Sequence, residues 1–306
     1  MKTKVANAEL NSYVCNASGI KDVAYEELKA IAESNSAAIV MKSCTPEPRS
    51  GNEEPRYMRL PFGAIQSMGL PNLGYKEYIR IAAELKKYRK PIIASVAGLS
   101  PDDFPKIVRA FQNSDVNLIE VNLSCPNLEG KPQIAYDFNA ADELLGSISN
   151  LGYKPIGIKL PPYYDLAHFK KIADIIKSHN ISFITCINSV GNTLAIDPEN
   201  ETPLIKPKSG LGGLSGGYIK NIALANVKIF RELLGNRISI FGVGGINSGT
   251  DAFEFLLAGA DAVQIGTVFE KEGIHCFRRI NEEFESIMKR KGYGSVLEAR
   301  GNLKYL

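Results

Sequence analysis

The sequence predicts an α/β chain closed into a (β/α)8 TIM barrel, and three observations carry that expectation. Eight short apolar runs alternate with amphipathic segments along almost the whole length. Most of the runs are near-continuous in Val, Ile, Leu, Ala or Phe, as in parallel strands covered on both faces. No GxGxxG opens the first helix, which argues against an open, doubly wound sheet. The 306 residues show no linker and no low-complexity stretch, so one barrel domain spanning 1–306 is expected.

The expected strands, in order, are 13–16, 37–43, 91–97, 118–124, 155–160, 183–188, 238–243 and 262–268. The amphipathic segments between and after them predict helices over 25–34, 75–87, 101–113, 139–150, 166–179, 221–234, 250–258 and 274–289. Ser100 is placed as the cap of the third helix, with Pro101 and Asp102 in its first turn. Gly259 and Gly292 stand where helices end. Three long insertions, 44–74, 125–138 and 192–220, all follow strands, so all three fall over the carboxyl-end face where barrels build their sites.

Composition narrows the function. Lys+Arg 36 against Asp+Glu 33 leaves +3, too small an excess to argue for nucleic acid. No apolar run reaches the roughly 20 residues of a membrane span, and the first 19 residues hold no signal-like stretch. Five cysteines without a CxxC disfavour a zinc or disulfide scaffold and suit a reducing cytosol.

A buried strand should be apolar, yet five consecutive strands carry polar residues near their carboxyl ends. They are Lys42 and Ser43, Ser95, Asn122 and Ser124, Lys159, and Asn188 with Ser189. Burying each unpaired costs a few kcal/mol, about 1–3 by mutational measures, so the recurrence points to a shared ligand. Two lysines facing one pocket call for something anionic or electron-rich between them. Glu120, two residues before Asn122 on the same strand face, reads as a structural partner for a lysine or donor inside the barrel. After the seventh and eighth strands come FGVGGIN (241–247) and QIGT (264–267), and GLGGLSGG (210–217) forms an earlier loop. Glycine-rich backbone after those two strands suits a phosphate, or tight turns alone. Cys125 heads the second insertion in NLSCPN. The histidines, His168, His179 and His275, fall in outer helices, so a histidine-activated thiol nucleophile is disfavoured. Cys15 and Cys186 read as core filler.

NLSCPN (122–127) followed by GKPQIAYDF (130–138), with SMGLPN (67–72), IKLPPYYD (158–165), INSVGN (187–192), IKPKSGLGGLSG (205–216) and ALANV (223–227), resembles the dihydroorotate dehydrogenases, in particular the soluble class 1A group. The resemblance runs from about residue 16 to the end of the chain. It implies a barrel with bound FMN, a cytoplasmic homodimer, and oxidation of dihydroorotate to orotate in pyrimidine biosynthesis with fumarate as electron acceptor. By the same resemblance Cys125 is the base that takes a proton from C5, while the C6 hydride passes to flavin N5. Lys42, Gln66, Asn122, Asn127, Asn188 and Ser189, with Met68, Gly69 and Leu70, match the substrate site. Ala17, Ser18, Gly19, Lys42, Ser43, Asn122, Lys159 and Ile187 match the surroundings of the flavin ring and ribityl chain, with Lys159 at its N1–C2=O side. Gly216, Gly244, Gly245, Gly266 and Thr267 match the flavin phosphate site, and no metal is implied.

The chain departs from the family pattern at Gln66, where Asn is usual, at Cys15, where Met is usual, and at Thr193-Leu194-Ala195. Gln66 keeps open a related flavin enzyme acting on another dihydropyrimidine. A strand lysine with a phosphate site would also suit a Schiff-base aldolase on this barrel. A non-catalytic flavin-binding barrel would not need Cys125.

Overall fold

The computed structural model describes residues 1–124 and 133–306. Eight strands form one sheet: β1 (Val14–Asn16), β2 (Ile39–Val40), β3 (Ile92–Val96), β4 (Leu118–Asn122), β5 (Ile156–Leu160), β6 (Phe183–Cys186), β7 (Ser239–Val243) and β8 (Ala262–Ile265). Their order is β1-β8-β7-β6-β5-β4-β3-β2, and every paired neighbour is parallel. The helices around it are α1 (Tyr25–Glu33), α2 (Tyr75–Leu85), α3 (Asp103–Gln112), α4 (Phe138–Ile148), α5 (Leu166–Ser178), α6 (Lys220–Leu234), α7 (Gly249–Ala258) and α8 (His275–Lys291). The expected (β/α)8 barrel is present, and each expected strand and helix has its counterpart.

The remaining seam, between β1 and β2, is closed largely by a side chain. Ala37 N–H donates to Val14 O at 2.8 Å. Beyond it the carboxamide of Asn16 donates to Val40 O at 2.7 Å and accepts from Val40 N–H at 2.9 Å. A primary amide carries one acceptor and a donor pair in the geometry of a peptide, so it replaces a ladder pair. β2 is shorter than the expected 37–43: Met41 N–H still donates to Ile93 O at 3.0 Å, Lys42 and Ser43 turn to the cleft at the carboxyl end, and Cys44 rejoins β3 opposite Val96.

At the amino end the barrel is plugged. A hairpin, Thr3–Val5 with Ala8–Leu10, buries Val5 and Leu10 against Cys15, Val40, Ile93, Leu118, Phe183 and Phe241. A larger apolar layer lies between strands and helices, from Tyr13 through Ile158 and Phe230 to Ala299. The start of β8 is pinned by Asp261, which accepts from Ile240 N–H at 2.7 Å and pairs with Arg231 at 2.5 Å and with Arg300.

Two local expectations need correction. Ser100 does not cap the third helix. Its first turn is fastened by Asp103, whose carboxylate accepts from Leu99 and Ser100 N–H at 2.9 Å each, because the helix begins two residues later than expected. Residues 210–217 are mostly a strand, Leu211–Gly216, not a loop. It joins Val190–Leu194, Gly63–Gln66 and Tyr57–Leu60 in a four-stranded antiparallel sheet built from two separate insertions. Gly259 and Gly292 do end α7 and α8 in the left-handed conformation, at φ 113° and 80°.

Asn16 is fully buried. Asn16→Ala would orphan the N–H and C=O of Val40 and is expected to lower unfolding stability by about 2–5 kcal/mol, read from urea unfolding of the apoprotein. A loss under about 0.5 kcal/mol, ordinary for surface changes, would show that the seam does not need the amide.

Candidate active site at the carboxyl end of the barrel

The strand ends and the antiparallel sheet enclose a cleft open to solvent. Its floor carries the polar residues that interrupt the apolar strands, and they form a continuous belt. Ser43 Oγ lies 2.8 Å from Ser95 Oγ and 3.1 Å from Ser18 Oγ, and accepts from Asn122 Nδ2 at 3.4 Å. Asn122 Oδ1 accepts from Ser124 Oγ at 2.9 Å, and Asn188 Nδ2 donates to Ser124 Oγ at 2.6 Å. Asn188 Oδ1 in turn accepts from Ser189 N–H at 2.9 Å. Neighbours orient each amide, so the groups facing the cleft are fixed before anything binds.

The two lysines stand on this floor, both buried. They reach consecutive carbonyls of one turn: Lys159 Nζ donates to Ser18 O at 3.4 Å and Lys42 Nζ donates to Gly19 O. Beneath that turn is Asp22, fully buried, whose Oδ2 accepts from Gly19 N–H at 2.8 Å. Burial pushes the Asp22 carboxyl up to about 6, opposed by Lys42, the Gly19 N–H and Lys159. Glu120 lies one layer lower. Its Oε2 accepts from Thr185 Oγ1 at 2.7 Å and Gln264 Nε2 at 3.1 Å, so its direct partners are neutral donors. Burial raises the thiols of Cys15 and Cys186 well above their ordinary range, as for inert core residues.

One wall is glycine. Gly245 has φ +76°, and a Cβ there would sit 2.8 Å from Gly216 O. Gly216 has φ +80°, and its Cβ would meet Gly63 Cα at 2.4 Å. Only glycine lets these three chain segments approach and leaves a backbone-lined hollow between the ends of β7 and β8. Thr267 Oγ1, at the start of the short helix Thr267–Glu272, lies 3.1 Å from Ser215 Oγ at its edge. The outer sheet is tied to that helix by Glu270, which accepts from Arg59 at 2.7 and 2.9 Å and from Tyr57 Oη at 3.1 Å.

The fold brings nearly all the sequence-derived candidates to this cleft. Ala17, Ser18, Gly19, Lys42, Ser43, Asn122, Lys159, Ile187, Asn188 and Ser189 line it. So do Gln66, Met68, Gly69 and Leu70 from the first insertion, and Gly216, Gly244, Gly245, Gly266 and Thr267 from the glycine wall. Cys125 and Asn127 lie outside the described residues. Gln66 Nε2 donates to Ser189 Oγ at 3.3 Å and its Oε1 accepts from Met68 N–H at 3.1 Å, so the longer amide ties the insertion to the end of β6. Sequence reasoning missed Tyr57, Gln133, Asn192, Lys208 and Ser215 on the cleft wall. Ser215 and Lys208 sit within quoted motifs, a usable signal, whereas Tyr57 reaches the cleft only because the excursions pair. Asp22 also went unremarked, since an acid in a short loop ordinarily reads as solvated.

Comparison with known proteins agrees with this geometry. A family model described as dihydroorotate dehydrogenase matches residues 1–288. A protein of Streptococcus equi subsp. equi named as a dihydroorotate dehydrogenase A (fumarate) is 47% identical over 306 residues, covering 99% of this chain and 98% of its own. A protein of Streptococcus agalactiae serotype Ia with the same name is 47% identical over 309 residues, covering 100% and 99%. The crystal structure of a DHODH from Eimeria tenella in complex with ferulenol superposes with TM-score 0.80 at 20% identity, over 98% of this chain and 88% of that one, which speaks for the fold. A match along nearly the entire chain, on a barrel whose carboxyl end gathers the motif residues, places it: the chain belongs to the dihydroorotate dehydrogenase family.

Proposed function

We propose that this protein is an FMN-dependent, fumarate-linked dihydroorotate dehydrogenase of class 1A, acting in the cytoplasm as a homodimer in pyrimidine biosynthesis and forming one barrel domain over residues 1–306. The observation that carries this reading is the single cleft in which two buried lysines, a belt of oriented amides and a glycine wall meet. Among the described residues no helix is long and apolar enough to cross a membrane. None of their His, Cys, Asp and Glu side chains gather into a possible metal site either.

The residues present fit FMN. The close backbone approach at Gly216, Gly244 and Gly245, which a Cβ at any of them would obstruct, would suit a phosphate held beside Gly266 and Thr267. The Ala17–Gly19 turn, Ser43, Asn122, Lys159 and Ile187 would hold the ring and ribityl chain. When bound, the flavin supplies a two-electron acceptor for the hydride leaving C6 of dihydroorotate. This chain's own residues do the rest. Cys125 would take the C5 proton, and the electron pair of the broken C5–H bond would form the C5=C6 double bond as the hydride leaves C6. Lys42, the Asn122, Asn127 and Asn188 amides, and Ser189 would hold the substrate's carboxylate and ring. Lys42 and Lys159 supply positive charge where negative charge develops, at no reorganisation cost because the floor is already fixed.

The deciding assay is turnover of dihydroorotate with fumarate by purified protein, which should be yellow with one FMN per chain. A colourless protein that cannot be reconstituted with FMN would overturn the reading.

For Cys125→Ala, flavin should stay bound while its reduction by dihydroorotate slows at least the roughly hundredfold of a lost general base. Reoxidation by artificial acceptors should be nearly unaffected. In the unmodified enzyme flavin reduction should speed up as pH rises towards the ordinary thiol range near about 8.5, because only the thiolate accepts a proton. Wild-type reduction rates in the variant would remove Cys125 from the base role.

Gln66→Asn tests the substrate. The shorter amide cannot reach both Ser189 and Met68, so kcat/KM for dihydroorotate should fall about fivefold to tenfold, the value of one hydrogen bond. A clear rise would mean that Gln66 suits another dihydropyrimidine.

A further inference from the structure

Among the described residues, Asp22 is the buried charge on this face of the barrel that the proposed chemistry leaves without a role. It sits under the Ser18-Gly19 turn and holds it from two sides: Oδ2 accepts from Gly19 N–H at 2.8 Å, and its backbone carbonyl accepts from Lys42 N–H at 3.2 Å. The two carbonyls of that turn are the ones on which Lys42 and Lys159 rest their ammonium groups. Its Oδ1 is buried with no hydrogen-bond partner among the described residues. A carboxylate that served only to fasten a turn would need one oxygen, and a neutral amide would do it without the desolvation cost of a charge.

We propose that Asp22 is a positioning residue that fixes the turn on which Lys42 and Lys159 rest and, by its buried negative charge, moderates the positive field those lysines project into the flavin and substrate site. This rests on the FMN-dependent reading above. Two buried cations without a counter-charge would overstabilise an anionic reduced flavin and hold it reduced. One buried carboxylate beside them offsets part of that field. Four titratable groups among the described residues face Asp22: Lys42 from the end of β2, Lys159 from β5, Glu27 from α1 and Tyr78 from α2.

The test is the two-electron midpoint potential of the bound FMN in Asp22→Asn. Asparagine keeps an acceptor for Gly19 N–H and removes only the charge. At about pH 8, where the native carboxylate is ionised, the variant's potential should lie more positive than wild type. At about pH 5, where burial leaves the native group largely protonated, the two should converge. Asp22→Ser, neutral and able to accept from the same N–H, should shift in the same direction. An unchanged potential in a variant with flavin bound would overturn the inference. So would variants that fold but lose the flavin, since Asp22 would then only hold the turn. Wild-type protein that takes up no FMN would instead overturn the functional reading on which this one stands.

Discussion

The site depends on the closure of the barrel at one short seam. Seven of the eight strand contacts are parallel backbone ladders. At the eighth, Asn16 spans the gap with its side chain. Continuing β2 as a full strand would keep residues 42 and 43 in the pleat. Interrupting the ladder between Met41 and Cys44 lets Lys42 and Ser43 turn toward the cleft. There Ser43 meets Ser18, Ser95 and Asn122, and Lys42 meets the turn that follows Asn16 itself. The residue that closes the barrel thus leads directly into the turn that receives both lysines.

The interior changes character in layers. At the amino end Val5 and Leu10 plug it with Phe183 and Phe241. In the middle Glu120, Thr185 and Gln264 satisfy one another, leaving Glu120 Oε1 and Gln264 Oε1 without partners among the described residues. At the carboxyl end the belt of Ser and Asn side chains faces the cleft. Lys42, Lys159 and Asp22 are themselves buried, so their charges are screened less than in water. That is why one carboxylate, Asp22, matters against two lysines, and why its own carboxyl is pushed up.

The antiparallel sheet roofs the cleft with chain from two insertions far apart in sequence. Its close crossings need glycine: Gly63 and Gly216 touch backbone to backbone. Gln66 and Tyr57 enter the cleft from that roof. The Arg59–Glu270 pair is partly exposed, so as an ion pair it adds little to stability. Its consequence is geometric, since it joins the roof to the helix beside the glycine wall.

Much of this was legible in the chain alone. Hydrophobic periodicity is local, so the eight strands, the eight helices and the closed barrel could be read from it. The polar residues at strand ends could also be read, because Lys159 or Asn122 inside an apolar run is an anomaly that only a site explains. Gly259 and Gly292 declared their helix ends through a conformation other residues avoid. Three things were decided only by tertiary structure. Residues 210–217 looked like a loop because glycine carries no strand signal, and they became a strand through pairing with Gly63–Gln66, about 150 residues away. The brevity of β2 was invisible because one of its two edges meets a side chain, Asn16, instead of a backbone ladder. Asp22 carries no signal in the sequence, and what surrounds it comes from strands, helices and a turn scattered from residue 19 to residue 159. Local pattern dictates which segments are strands or helices, but a buried charge is defined by its neighbours, and only the closed barrel brings them together.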